Sequence, residues 1–190
     1  SVRYEGKPLA SKAFAYWKVR VWDNEGNVSQ WSAPASFGIG FLDDKDWASN
    51  AAFIGVPRNS GKSEVCPLLR KEFTAVQGAE RYLLHVNSLG YHEAYVNGQP
   101  VSDAVLNPAV SQFGVRTRIV TYDVTSLVHE GGNDIIIWAG KGWYQTHNKA
   151  VVPGGPYVRA QLDCITSEGV TAVTATDGSW KYAESERRTY

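Results

Sequence analysis

The chain has 190 residues, of which 43% are hydrophobic and 20% charged, enough apolar material for a packed core and too much for a disordered tail. Nineteen basic residues balance nineteen acidic ones, so no bulk field draws the chain to nucleic acid or anionic lipid. No apolar run approaches eighteen residues, which argues against membrane insertion by a helix.

In chain order, Phe14 to Trp22 reads as a strand, with Trp17, Val19 and Val21 on one side and Lys18 and Arg20 on the other. Asp23-Asn24-Glu25-Gly26-Asn27 is a turn cluster, and a second extended segment runs through Trp31 to about Ile39. The two predict a hairpin, which is not independently stable in water. Residues 1–42 are therefore expected to be the end of a larger β domain. Asp43-Asp44-Lys45 is the polar joint, and a second domain is expected over residues 43–190, truncated at its C-terminal end.

That second part alternates short strands with turns. Strands are predicted at Leu68–Thr74 and Glu80–Ser88, the latter with Arg81, Leu83, His85 and Asn87 opposite Tyr82, Leu84 and Val86. Tyr91–Val96 leads into Asn97-Gly98, a hairpin signal because both residues tolerate positive φ, with Gln99–Leu106 as the return strand. Arg118–Tyr122, Asp134–Ala139, Tyr157–Thr166 and Gly169–Thr176 complete the series. Asp123–Val128 predicts one helical turn capped by Asp123 or Thr125. No segment keeps a 3.6-residue apolar period for three turns. The predicted class is all-β: a jelly-roll or galactose-binding-like β-sandwich preceded by a partial hairpin domain.

Chemistry-bearing residues are sparse. His85, His92, His129 and His147 lack metal-ligand spacing and read as solvated or hydrogen-bonded, so no metal and no cofactor are expected. Cys66 and Cys164 sit in strand-like segments, either paired or as two buried thiols. Gly61-Lys62-Ser63 has the ending of a phosphate loop but not its first glycine. Glu93, Asp103, Asp123, Asp134 and Asp163 are scattered over strands and turns, each with a local structural reading, so no catalytic pair is expected. The most informative stretch is Asn133–Tyr144, where an apolar strand empties into Gly140-Lys141-Gly142-Trp143-Tyr144. Glycines permit close backbone approach, and two rings follow them. Trp143 and Tyr144 either stack on a sugar, with Asn107 or Arg116 adding hydrogen bonds, or plug the end of the sandwich.

Taken together, Ala79–Gly98, Thr121-Tyr122-Asp123-Val124-Thr125 and Gly140-Lys141-Gly142-Trp143-Tyr144 resemble the N-terminal β-sandwich of bacterial α-L-rhamnosidases. Tyr16–Asp23, Gly26 and Ser29-Gln30-Trp31-Ser32 resemble the end of the fibronectin-III-like domain before it, and Thr176–Trp180 a segment near the sandwich's close. The resemblance implies a family that hydrolyses terminal α-L-rhamnose with carboxylates on a downstream (α/α)₆ barrel. That barrel would be this region's partner, with rhamnose-containing glycans as possible ligands and a periplasmic or secreted location. One departure is local. Where family members often carry Pro-Gly-Trp-Thr-x-Tyr, this chain has Pro108-Ala109-Val110-Ser111-Gln112-Phe113, which weakens a sugar platform at that loop. A carbohydrate-binding module and an unrelated extracellular adhesion sandwich are the alternatives to a structural accessory region.

Overall fold

A computed structural model describes residues 3–56, 65–144 and 154–188. His147 and the Gly61-Lys62-Ser63 stretch lie outside the described residues. The chain divides into two compact units, Ser1–Asp46 and Trp47–Tyr190.

In the first unit, β1 (Phe14–Trp17) pairs antiparallel with β2 (Ala35–Gly38). The predicted strand to Trp22 is shorter here, because the ladder becomes irregular after Trp17. The Ser29 and Ser32 hydroxyls accept the Val21 and Val19 amides, each at 3.0 Å, while the Ser29 and Ser32 amides donate to the Val21 and Val19 carbonyls. Cations stack between the strands' rings: Arg20 lies 4.9 Å from the Trp22 ring and 4.7 Å from Trp31, and Lys18 Nζ lies 4.6 Å from Trp31. Asp23 closes the turn by accepting the Glu25 and Asn27 amides.

The second unit is an all-β sandwich of antiparallel strands with a jelly-roll-like arrangement. Its strands are β3 (Ile54–Gly55), β4 (Val65–Thr74), β5 (Arg81–Leu89), β6 (Tyr91–Val96), β7 (Gln99–Pro100), β8 (Ile119–Asp123), β9 (Gly132–Gly140), β10 (Tyr157–Thr166), β11 (Gly169–Ala175) and β12 (Lys181–Arg188). One sheet runs β11-β10-β5-β8, with β3 also on β10, and the other β12-β4-β9-β6-β7. Alternation sends Leu69, Phe73, Ile135, Ile137, Ala94 and Val96 inward from one sheet, and Tyr82, Leu84, Val86, Val158, Ala160 and Leu162 from the other. Each fully buried Leu, Ile or Val side chain among them contributes roughly 1.5–3 kcal/mol.

One predicted strand is shorter than expected, and three further features refine the reading. The return strand after Asn97-Gly98 is two residues long, and the chain then leaves the sheet as a loop to β8. The segment Lys181–Arg188, not among the predicted strands because its charges interrupt any apolar alternation, pairs with β4 as a sheet edge. β5 keeps the predicted split of its side chains, and both faces are buried, Leu84 and Val86 as well as His85 and Asn87. Their face is occupied by polar partners, His85 Nδ1 at 2.9 Å from Thr121 Oγ1 and His85 Nε2 at 3.3 Å from Asp163 Oδ2. Gln161 then donates to Asp163 at 2.6 Å and accepts the Ala48 amide at 2.6 Å. Finally, the helical turn is a 3-10 turn, Thr125–Leu127, in which Asp123 accepts both the Thr125 amide and its hydroxyl. Cys66 and Cys164 are both buried thiols that no disulfide joins, and burial pushes the Cys164 thiol up.

Candidate functional site

The end of β9 delivers the aromatic loop. Gly140 pairs with Tyr91 across β6, and a 3-10 turn, Gly142–Tyr144, follows at once. Two glycines make this approach possible. A Cβ on Gly90, where φ is +123°, would lie 2.1 Å from the Gly140 carbonyl oxygen, and one on Gly142 would lie 2.8 Å from the Tyr91 ring.

The turn then splits the two predicted rings. Tyr144 is 2% exposed and packs edge-on to Phe113, with centroids 5.3 Å apart, and to Tyr157 at 6.3 Å. Burial, and after it Tyr157, raises the pKa of its phenol. Trp143 is 52% exposed. Tyr144 thus plugs the sandwich end, while Trp143 presents its indole outward.

Asn107 and Arg116 lie on the loop between β7 and β8. The Asn107 carbonyl accepts the His92 amide at 2.7 Å, and its Nδ2 donates to the Tyr122 hydroxyl at 3.3 Å. This side chain is thus engaged by the sandwich. Arg116 is exposed, its carbonyl accepting the Ser111 hydroxyl and its amide donating to the Gln112 carbonyl. Phe113 ties the loop to Tyr144, so Arg116 and the Trp143 turn belong to segments that meet at that ring pair.

Sequence reasoning missed the group that organises this end. His92 is buried on β6, with Nδ1 at 2.7 Å from Ser88 Oγ and Nε2 at 2.9 Å from the Tyr122 hydroxyl. Burial lowers its pKa to about 4 and raises that of Tyr122. The signal available was the alternation of Tyr91–Val96, which places His92 on the same face as Ala94 and Val96.

Three of the scattered acids are locally engaged. Asp134 accepts from Arg70 at 2.7 Å, Glu93 from the Tyr95 hydroxyl at 2.6 Å, and Asp123 lies 3.5 Å from Arg81. Among the described residues, no group of three or more His, Cys, Asp or Glu side chains converges as a metal cage. No helix among them is long and apolar enough to cross a membrane.

Comparison with known proteins places this architecture. A family model described as the α-L-rhamnosidase N-terminal domain matches residues 77–189, and one described as a Rha78A-like N-terminal immunoglobulin domain matches residues 1–43. An α-L-rhamnosidase of Formosa agariphila is 29% identical over 193 residues, covering 95% of this chain and 21% of that protein. One of Alteromonas sp. is 29% identical over 203 residues, covering 97% and 21%. Among solved structures, the α-L-rhamnosidase of Aspergillus terreus superposes with a TM-score of 0.81 at 27% identity, covering 94% of this chain and 22% of the other. That of Dictyoglumus thermophilum gives 0.81 at 26%, covering 96% and 22%. The chain spans about a fifth of the length of the curated relatives it matches. With the family model matching more than half of its residues, this chain belongs to the α-L-rhamnosidase N-terminal domain family.

Proposed function

We propose that this chain is a non-catalytic accessory region of an enzyme that hydrolyses terminal α-L-rhamnosides, acting mainly in domain packing. One observation carries the reading: nearly all of the chain aligns with α-L-rhamnosidases while covering about a fifth of their length, and the matched domain is an N-terminal one. The local engagement of Asp134, Glu93 and Asp123 supports it, since a hydrolytic pair needs two carboxylates turned toward a shared substrate. In this reading, catalysis belongs to an (α/α)₆ barrel in the same polypeptide, and the protein works in the periplasm or outside the cell. The purified chain is expected to leave a chromogenic α-L-rhamnoside untouched. Turnover above a buffer blank that survives re-purification would sink the proposal.

A second reading, a carbohydrate-binding module, rests on Trp143. Its exposed indole follows a close-packed glycine turn, a suitable platform for the C–H face of a sugar. Titration with rhamnose and rhamnosylated oligosaccharides, followed at the indole resonances, tests it. A saturable shift confined to Trp143 would establish binding, and flat resonances to millimolar sugar would leave the accessory role alone.

A further inference from the structure

We propose that His92 is a pH-sensitive pin for the loop spanning residues 101–118: as a neutral imidazole it seats Asn107 against β6 and β8, and on protonation it releases the middle of that loop. The hydrogen bonds around the ring fit one protonation state. The Ser88 hydroxyl donates to the Gly90 carbonyl at 3.2 Å, so its oxygen is left to accept from His92 Nδ1–H at 2.7 Å. Nε2 then carries the lone pair and accepts the Tyr122 hydroxyl at 2.9 Å. The Tyr122 oxygen, in turn, accepts Asn107 Nδ2–H. The side-chain relay from loop to sheet, in this order of donors and acceptors, thus needs Nε2 unprotonated.

Adding a proton to Nε2 breaks this order. Two donors then point at each other, and the Tyr122 proton must find another acceptor in a buried place. The ring would also carry a charge with no carboxylate among the described residues hydrogen-bonded to it. Ser88 faces it from β5, Tyr122 from β8 and Asn107 from the loop, and Tyr122 is the titratable group among them. Glu93 and Asp103 line the cavity that His92 shares with Val101–Val105, but Glu93 is exposed and engaged by Tyr95, and Asp103 is exposed. Burial is the cause of the ring's low pKa, about 4 against an ordinary 6.5. An open state restores the ordinary value and therefore binds more protons between the two. Opening is suppressed above pH 6.5 and grows as pH falls toward 4.

Near Asn107 the loop is also tied by the His92 amide on the Asn107 carbonyl and by the buried Pro108, and both ties sit beside the ring itself. Val101 is held at its start by the Ala94 carbonyl, and Thr117 near its end accepts from Asn87 at 2.8 Å. Val105, Leu106 and Val110 are exposed, so burial in the middle of the loop is confined to the stretch at Asn107 and Pro108. Release therefore affects residues 102–112 and leaves the sheets closed.

Hydrogen exchange of the full chain, corrected for intrinsic rates, tests this. Between pH 7.5 and 4.5, protection of residues 102–112 is expected to fall on the order of 70-fold, with β9 unchanged. In His92→Gln, whose neutral amide can donate to Ser88 and accept from Tyr122, that dependence is expected to vanish. Asn107→Ala is expected to loosen the loop at every pH and to move the His92 midpoint, followed by NMR, up toward 6.5. Constant protection to pH 4.5, an equal fall in His92→Gln, or an equal loss in β9 would overturn the pin. If His92→Gln does not fold, a His92 midpoint unmoved by Asn107→Ala overturns it.

Discussion

Trp143 and Tyr144 are chain neighbours with opposite fates, and the cause is the turn that holds them. Successive side chains of a 3-10 turn point about 120° apart, so one ring enters the sandwich end as the other leaves it. The two truncations should therefore differ. Tyr144→Ala removes a buried ring packed on Phe113 and Tyr157, and it is expected to cost about 3–5 kcal/mol in chemical denaturation. Trp143→Ala, which removes a half-exposed ring, is expected to cost about 1 kcal/mol or less. Equal shifts of the two midpoints would show that Trp143 is a packing residue after all. Gly90 is the other sensitive position. Gly90→Ala meets both an unfavourable φ and the Gly140 carbonyl, so a loss of at least about 2 kcal/mol is expected from the same measurement.

At the level of elements, the hairpin between β6 and β7 shows how a local signal becomes a tertiary one. Asn97 and Gly98 both take positive φ, as their residue types allow. The Asn97 side chain does more than permit the turn. Its Nδ2 donates to the Leu127 carbonyl at 2.9 Å and to Asn133 Oδ1 at 2.7 Å, and its Oδ1 accepts the Asp134 amide at 3.0 Å. Asn97→Gly keeps the backbone and removes these partners, so an expected loss of about 2 kcal/mol measures the side chain alone. A loss below about 0.5 kcal/mol would assign the whole effect to the backbone. The turn was legible because two adjacent residues carry it, and β10 was legible because its apolar alternation is uninterrupted over Val158, Ala160, Leu162 and Cys164. β12 was not, since an edge strand can be charged and still pair. Nor was the burial of His85, because what covers a polar face is set by Thr121 and Asp163, distant in sequence. The candidate site was legible in the same uneven way. The Gly140–Tyr144 loop stands out locally, whereas the engagement of Asn107 depends on Tyr122 and His92, which no spacing rule connects.

At the scale of the whole molecule, the two units differ in how their strands are supported. β9 lies between β4 and β6, and its inward residues Ile135, Ile137 and Ala139 are fully buried. To exchange, its amides need an opening that disrupts the shared core. β1 and β2 form a two-stranded sheet, and Tyr16, Trp17, Val21 and Trp22 are exposed around it. What orders this hairpin is local: the Ser29 and Ser32 hydroxyls on the Val21 and Val19 amides, and the cations stacked on Trp22 and Trp31. Exposed hydrogen bonds of this kind contribute about 1 kcal/mol each and exposed cation–π pairs about 0.5–1 kcal/mol, whereas opening the sandwich sacrifices roughly 1.5–3 kcal/mol for each buried aliphatic side chain. The hairpin should therefore open with far less free energy than the sandwich. Amide exchange followed by mass spectrometry is expected to label residues 14–38 well before residues 132–140. Arg20→Ala should speed the first region further without touching the second, because it removes a cation shared by two indoles. Equal protection of the two regions in the isolated monomeric chain would mean that the hairpin draws its stability from contacts beyond its own two strands.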